Sequence, residues 1–323
     1  MPSAPPHARP TTTTPSRGRG ALAPLAGAAG TVARTALRPA AAPARVARRT
    51  VAGLLRARVR PVDPDERDPF LVRDVLPGAW LLASLWFRAE VRGLHHVPRD
   101  TPVLLVGNHS GGTMTPDSLV FALAFASHFG PERPLHVLVH ALASAYPGLG
   151  VLRRLGILPA DPDAARRALR SGSCVLVYPG GEREAHRPSW RSARVDLGDR
   201  TDVVRLALEA DVPIVPVVAI GGQETALFLG RGEGLARRLR LDRLLGVDAL
   251  PLSLAAPWGL NVGDALGHVP LPAKIVVQVL PPVDVREEFG DEPDEAAVLA
   301  HVGATMQEML GELARRRRLP VVG

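Results

Sequence analysis

The 323-residue chain carries 39 Lys and Arg against 32 Asp and Glu, a formal net charge of +7. Its apolar content of 46% excludes a chain that is disordered throughout, and its single cysteine excludes a disulfide framework or a multi-cysteine metal site. The positive charge favours an anionic partner such as a phospholipid surface. An aromatic content of 4% is low for a platform that stacks nucleic-acid bases, so we predict no nucleic-acid partner. We also predict no metal.

The first ninety residues differ from the rest. Residues 1–60 are dominated by Pro, Ala, Thr and Arg, and we interpret them as a disordered arm. Residues 61–90 are predicted to be an amphipathic helix region. The apolar stretch 75–87, VLPGAWLLASLWF, is too short to span about 30 Å of hydrocarbon. It is either an interfacial helix with Trp80 and Trp86 in the headgroup zone, or a helix that docks on the domain.

Residues 91–323 alternate between short apolar runs and amphipathic segments. Strands are predicted at 101–107, 135–140, 173–178, 212–220 and 273–280, and helices at 117–129, 163–170, 201–210 and 292–318. Short buried strands that alternate with helices indicate an α/β fold. We therefore predict a mostly parallel central sheet flanked by helices.

The segment 107–117, GNHSGGTMTPD, carries the first set of reactive groups. An apolar strand delivers Asn108 and His109 to its carboxyl end, where open α/β sheets bind ligands. Pro116 is typical of the first turn of a helix, which places Asp117 to aim its carboxylate at one imidazole nitrogen. Such a carboxylate fixes the tautomer and stabilises the protonated ring, as a general base requires. Taken alone, a structural histidine with a helix-capping aspartate explains the segment better.

The segment 178–184, YPGGERE, also follows a predicted strand. Gly180 and Gly181 would expose backbone N–H groups, and Arg183 would place a cation near them. Together these groups would form a cradle for a phosphate or an oxyanion. A tight turn with solvated charges accounts for the same residues equally well.

Taken together, these segments resemble the glycerolipid and lysophospholipid acyltransferase family, the group that contains 1-acylglycerol-3-phosphate acyltransferase. Asn108-His109 with Asp117 is similar to the family's His–Asp motif, and 178–184 is similar to its Phe-Pro-Glu-Gly-Thr-Arg block. The segment 147–157, PGLGVLRRLGI, is similar to the acceptor-site segment, and VPIVPV at 212–217 to the strand that follows. Four blocks in the family's order are more specific than any one of them.

The chain departs from the family's pattern at three places. Seven residues separate His109 from Asp117, where the family has four, so the loop must fold back to bring the pair together. Gly180 replaces the family's Glu, and with Glu184 the block is closer to the diacylglycerol acyltransferase branch. The arginine that often follows the acceptor segment is absent after Ile157, which makes a neutral glycerolipid an alternative to a phosphorylated acceptor.

The resemblance implies direct transfer of a fatty acyl group from acyl-CoA or acyl carrier protein to a glycerolipid hydroxyl. It implies a peripheral enzyme on the cytoplasmic face of the cell membrane, in contact with an anionic lipid surface, with no cofactor beyond the acyl thioester. His109 is the expected base and Asp117 its support. The expected substrate-binding residues are Asn108, Gly180, Gly181, Arg183, Glu184 and Arg153.

Two other classes of protein stay open. Ser110 beside His109 suggests a serine hydrolase, although the chain lacks a Gly-x-Ser-x-Gly elbow. The long His–Asp spacing suggests a catalytically inactive lipid-binding protein of the same fold. The basic stretch 237–243 is either a solvated helix face or a contact with anionic lipid.

Overall fold

The computed structural model describes residues 64–139, 150–240, 249–264, 267–319 and 321. The predicted arm at 1–60 and the first residues of the 61–90 region lie outside these ranges. So does 140–149, which includes the start of the 147–157 segment.

Seven of the described strands form one central sheet. They are β1 (Glu90–Arg92), β2 (Leu104–Gly107), β3 (Leu135–Val139), β4 (Ile157–Pro159), β5 (Cys174–Val177), β6 (Ile214–Ile220) and β10 (Val276–Val279). Their order across the sheet is β1-β10-β6-β2-β5-β3-β4. Neighbours pair in parallel except β10 and β6, which are antiparallel. The predicted mostly parallel sheet is confirmed, and β2, which leads into His109, lies in its middle.

Helices cover both faces of this sheet. They are α1 (Pro69–Trp86), α2 (Pro116–Phe129), α3 (Gly150–Arg154), α4 (Pro162–Arg170), α5 (Gly181–Ala185), α6 (Asp202–Ala210), α7 (Glu233–Arg238), α8 (Val285–Phe289) and α9 (Glu295–Arg316). The core has two layers because strand side chains alternate. Leu104 and Val106 pack with α4, α6 and α9, whereas Leu105 packs with α1 and α2. Strands buried on both sides are apolar at every position, as the sequence of β2 is.

Cys174, the single cysteine, lies at the start of β5 and is buried. Burial raises the pKa of its thiol, although Arg133 nearby opposes this effect. The thiol is therefore a packed core group of low nucleophilicity, as the apolar run around it predicts.

The apolar stretch 75–87 lies in α1, which begins at Pro69 behind the capping carboxylate of Asp68. One side of α1 packs on the core through Ala83 and Trp80. The opposite side exposes large apolar residues: Val75, Leu81, Leu82, Leu85 and Trp86. The docking interpretation thus describes the inner side of the helix, and the interfacial interpretation stays a prediction for its outer side. In the described residues no helix is long and apolar enough to cross a bilayer.

A second, smaller sheet was not predicted. It consists of β7 (Leu227–Gly230), β8 (Leu252–Ala255) and β9 (Gly259–Val262), paired antiparallel in that order. Its strands have four residues each, and α7 lies between β7 and β8 in the chain, so local apolar runs gave little sign of them. This sheet packs beside the loop that follows His109, through Asp264 at its end.

Candidate active site

Asn108 fixes the end of β2. Its Nδ2 donates to the carbonyl of Ala219 on β6 at 2.9 Å, and its Oδ1 accepts from Ala219 N at 2.7 Å. The side chain is fully buried. Both amide groups are therefore engaged with the neighbouring strand, so Asn108 positions the backbone before His109 in place of the predicted substrate contact.

Replacing Asn108 with alanine is expected to destabilise the fold. The Ala219 N–H and C=O would be left buried without partners, which costs about 1–3 kcal/mol for each group. Urea unfolding would measure this loss, and steady-state kinetics would show a lower kcat with little change in KM. If the variant kept its stability but had a raised KM, Asn108 would be a substrate-binding residue, as the sequence predicts.

The loop between His109 and Asp117 folds back, as the seven-residue spacing requires. Gly111 and Gly112 have φ of 84° and 61°, in the left-handed region that glycine adopts without strain. A 3₁₀ turn over Gly112–Met114 follows, and Thr115 also has a positive φ of 41°. Pro116 then begins α2, which puts Asp117 in its first turn beside the imidazole.

The imidazole and the carboxylate lie side by side. His109 Nδ1 is 3.9 Å from Asp117 Oδ2, beyond hydrogen-bond distance. Asp117 is 1% exposed and accepts hydrogen bonds from Ser110 N, Ser110 Oγ and Ser118 N. His109 Nδ1 is buried and has no hydrogen-bond partner among the described residues. Catalytic hydrogen bonds are often long before substrate binds, so this geometry suits a base and its supporting carboxylate.

Tyr178 holds the plane of the imidazole. Its ring stacks on His109 with centroids 4.3 Å apart and planes inclined by 17°. Ser118 Oγ donates to the Tyr178 hydroxyl at 2.8 Å. A Cβ at Gly107 would come within 2.5 Å of the Tyr178 ring, so glycine there makes room for the stack. The sequence interpretation did not assign Tyr178 to the site, although this residue begins the 178–184 block at the end of an apolar strand.

Glu184 and Arg187 hold the backbone on either side of His109. Glu184 Oε2 accepts from His109 N at 2.7 Å, and Oε1 accepts from Asp196 N at 2.9 Å. The Arg187 guanidinium donates to the carbonyls of His109 and Glu184. Both side chains are buried. Glu184, predicted to bind substrate, instead ties three segments of the chain together, and Arg187 was missed.

The pKa of Glu184 makes stability depend on pH. Burial raises this pKa from 4.5 to about 7, against the opposing effects of Arg187 and the two N–H donors. The folded chain therefore binds more protons than the unfolded chain between these values, and stability falls as pH rises through that window.

We expect Glu184→Gln to remove this pH dependence. Between about pH 5 and about pH 8 the unfolding free energy of wild type should fall by roughly 2–3 kcal/mol more than that of the variant. Urea unfolding at both pH values measures the difference. The variant also loses one backbone hydrogen bond, but that offset is the same at either pH. If the unfolding free energies of wild type and variant change equally between the two pH values, Glu184 is ionised in the folded protein throughout this range.

The turn that carries the predicted cradle uses part of it within the protein. Gly181 N donates to Tyr178 O at 3.1 Å, so this N–H is already bonded within the turn. A Cβ at Gly180 would lie 2.1 Å from Asp196 O, so the residue is required by close packing. Arg183 is exposed on α5.

Arg153 is not brought to the site. It lies on α3, ahead of the amino end of β4, whereas His109 follows the carboxyl end of β2. The two strands run in the same direction, with β5 and β3 between them. Arg153 therefore lies toward the side of the sheet where these parallel strands begin, and His109 lies on the side where they end. The position of a motif along the chain could not reveal this.

A buried cluster behind the loop was also missed. Asp264 accepts from Thr113 N at 2.9 Å and faces His186 Nε2 at 2.9 Å and His268 Nδ1 at 3.2 Å. Burial raises the pKa of Asp264, but the hydrogen bonds from His186, His268 and Thr113 outweigh it and hold this pKa well below its ordinary value. The ionised carboxylate anchors the loop that carries His109 to the small sheet.

Ser110 is placed unlike a hydrolase nucleophile. Its hydroxyl donates to Asp117 Oδ2 at 3.0 Å, and the residue is 1% exposed. A buried hydroxyl that is bonded to the carboxylate is directed away from substrate. The geometry therefore favours His109 acting on a substrate hydroxyl over a serine mechanism.

Comparison with known proteins identifies relatives of this chain. The sequence profile of the Acyltransferase family matches residues 88–220. An uncharacterized protein of Mycobacterium bovis is 30% identical over 277 residues, covering 83% of this chain and 74% of the relative. The human "DGAT1/2-independent enzyme synthesizing storage lipids" is 29% identical over 149 residues, 46% of this chain and 44% of the relative.

A solved structure shares the fold. The 1-acyl-sn-glycerophosphate (LPA) acyltransferase PlsC from Thermotoga maritima matches with a TM-score of 0.51 at 16% identity, over 84% of this chain and 91% of that one. The chain belongs to the Acyltransferase family. It is an O-acyltransferase, whose substrates are an acyl donor and a lipid acceptor.

Proposed function

We propose that this enzyme transfers a fatty acyl group from acyl-CoA or acyl carrier protein to the hydroxyl of a lysophospholipid or another glycerolipid. The observation that carries the proposal is the placement of His109. Its backbone is bonded on both sides by Glu184 and Arg187, and its Nδ1 faces the Asp117 carboxylate. Nε2 is thereby left for a substrate proton.

The proposed chemistry is a direct transfer. His109 Nε2 takes the proton from the acceptor hydroxyl as its oxygen attacks the thioester carbonyl carbon. The C–S bond then breaks, and the leaving thiolate takes the proton back from the imidazolium. Asp117 stabilises the imidazolium in between, which is the role of the buried carboxylate in a His–Asp pair. General-base catalysis of this kind contributes about 10²–10⁴ in rate.

The placement of the arginines favours an acceptor without a phosphate at the reacting end. Arg153 lies near the amino end of β4, away from the strand ends that carry His109, and the Arg187 guanidinium is bonded to backbone carbonyls. A neutral glycerolipid, such as diacylglycerol, is therefore a candidate beside a lysophospholipid. The human relative named for storage-lipid synthesis is consistent with this choice.

We further propose that the enzyme works as a peripheral protein at an anionic membrane surface, on the cytoplasmic face. Support comes from α1, whose outer side exposes leucines and Trp86. A helix with that much exposed apolar surface suits the headgroup zone of a bilayer.

One assay tests the reaction and separates the alternatives. Purified full-length protein would be incubated with radiolabelled acyl-CoA or acyl carrier protein and with lysophospholipids or diacylglycerol, and products separated by chromatography. We expect a labelled ester with at least one acceptor. Lipid binding without any product would indicate an inactive member of the fold, and release of free fatty acid without an acceptor would indicate a hydrolase.

A further inference from the structure

The small sheet has an apolar side that faces away from the protein. Along each strand, side chains alternate between the interior and the surface. Phe228, Ser253 and Asn261 are buried on the inner side. The outer face, as we call it, consists of the exposed residues of all three strands: Leu227, Leu229, Leu254, Leu260 and Val262. Leu254 pairs with Leu227 on one side and Leu260 on the other, so these leucines form a row across the sheet.

Two tryptophans extend this apolar surface. Trp258, in the turn between β8 and β9, is 54% exposed, and its Nε1 donates to Gly267 O at 3.0 Å. Trp86, at the end of α1, is 40% exposed, and its Nε1 donates to Pro270 O at 2.9 Å. Each indole N–H is already satisfied within the protein, so each exposed ring can enter an apolar medium without leaving a donor unpaired.

The segment 269–271 connects the small sheet to α1. Val269 and Leu271 are both exposed. Val269 N donates to Ala256 O beside the small sheet, and Leu271 N donates to Thr225 O just before β7. Trp86 is bonded to Pro270 between these two residues, so this segment links the end of α1 to the small sheet.

Positive charge borders the outer face. α7 follows β7 directly and exposes Leu235, Arg237 and Arg238, with Leu239 and Arg240 just beyond it. In the described parts of 225–264, the carboxylates are Glu233, paired with Arg231 at 3.0 Å, and the buried Asp264. Arg237, Arg238 and Arg240 have no carboxylate partner among the residues that the structure describes, and an apolar surface bordered by such arginines complements an anionic lipid bilayer.

We propose that the outer face of the small sheet docks on an anionic phospholipid bilayer. Its leucines and Trp258 would enter the headgroup boundary while the arginines of α7 contact lipid phosphates. The inner side of the same sheet touches the catalytic loop, since Asp264 binds Thr113 N and a Cβ at Gly112 would meet the Phe228 ring at 2.8 Å. Docking would thus hold the loop that follows His109 roughly one sheet-packing distance, about 10 Å, from the lipid. The inference rests on the proposed function for its lipid acceptor.

Vesicle sedimentation tests this proposal without catalysis. The full chain would be mixed with vesicles of phosphatidylglycerol and phosphatidylethanolamine in equal parts, and with vesicles of phosphatidylcholine alone. We expect Leu254→Asp and Leu260→Asp each to lower the partition coefficient on anionic vesicles at least tenfold, about 1.4 kcal/mol. Leu260→Ile should bind like wild type. Ala304→Asp, which adds the same charge at an exposed site of α9 across the main sheet, is the matched control.

Circular dichroism and acyl transfer to a short-chain acceptor dissolved as monomers would establish that each variant is folded. Docking is overturned if the aspartate variants bind as well as wild type, if wild type binds neither vesicle, or if phosphatidylcholine binds equally well. It is also overturned if the only effect of Leu260→Asp is to dissociate a dimer of this chain into monomers. Absence of acyl transfer by wild type to any monomeric acceptor would instead count against the proposed function.

Discussion

His109→Ala is expected to lower kcat for acyl transfer by about 10²–10⁴-fold, because it removes the group that accepts the proton of the attacking hydroxyl. The fold should survive, since the imidazole is partly exposed and its Nδ1 holds no hydrogen bond among the described residues. KM for the acyl donor should change little. Initial rates with labelled acyl-CoA over a range of acceptor concentrations measure the loss.

His301→Ala is the matched control for this variant. His301 is exposed on α9, on the other side of the central sheet, and its removal should leave kcat unchanged. If His109→Ala keeps more than a tenth of the wild-type rate while unfolding at the same urea concentration, the base is a different group.

Asp117→Asn is expected to lower kcat by roughly 10²-fold or more, with the fold retained. The amide fills the space of the carboxylate but carries no charge to stabilise an imidazolium at 3.9 Å. Its oxygen can still accept from Ser110, whereas its NH₂ would face the N–H of Ser118. We therefore expect some loss of stability as well, which urea unfolding separates from the loss of rate.

Asp163→Asn supplies the comparison, because Asp163 also lies in the first turn of a helix but is exposed on α4. It should retain full activity. A rate for Asp117→Asn equal to that of Asp163→Asn would mean that the imidazole works without a carboxylate partner. In that case Asp117 would serve only to cap α2 and hold Ser110.

The sequence was informative where a local pattern determines the structure. Alternating apolar strands and helices gave the central sheet, and the strand end at Gly107 gave the position of His109. The pair of glycines that follows indicated that the chain folds back to Asp117, and the observed φ values at Gly111 and Gly112 show how it does so.

The direction of single side chains at strand ends was not predictable. Asn108 and Glu184 have the polar chemistry of ligand-binding residues, yet both are satisfied by backbone groups of distant segments. Asp264 reaches Thr113 across 151 positions of sequence, so only the folded chain reveals their contact. Arg153 was predicted to bind substrate because it belongs to the 147–157 motif. Whether that motif lies at the amino or the carboxyl ends of the strands depends on the topology of the sheet.

The single buried thiol offers a way to measure depth of insertion. Cys174 is sealed in β5 and has a raised pKa, so maleimides should react slowly with it in the folded state. A cysteine introduced at Leu254 or at Ala304 would then be the fast-reacting thiol of its variant. A polarity-sensitive fluorophore attached at each site would report, by its emission maximum, which side of the protein leaves water when vesicles are added.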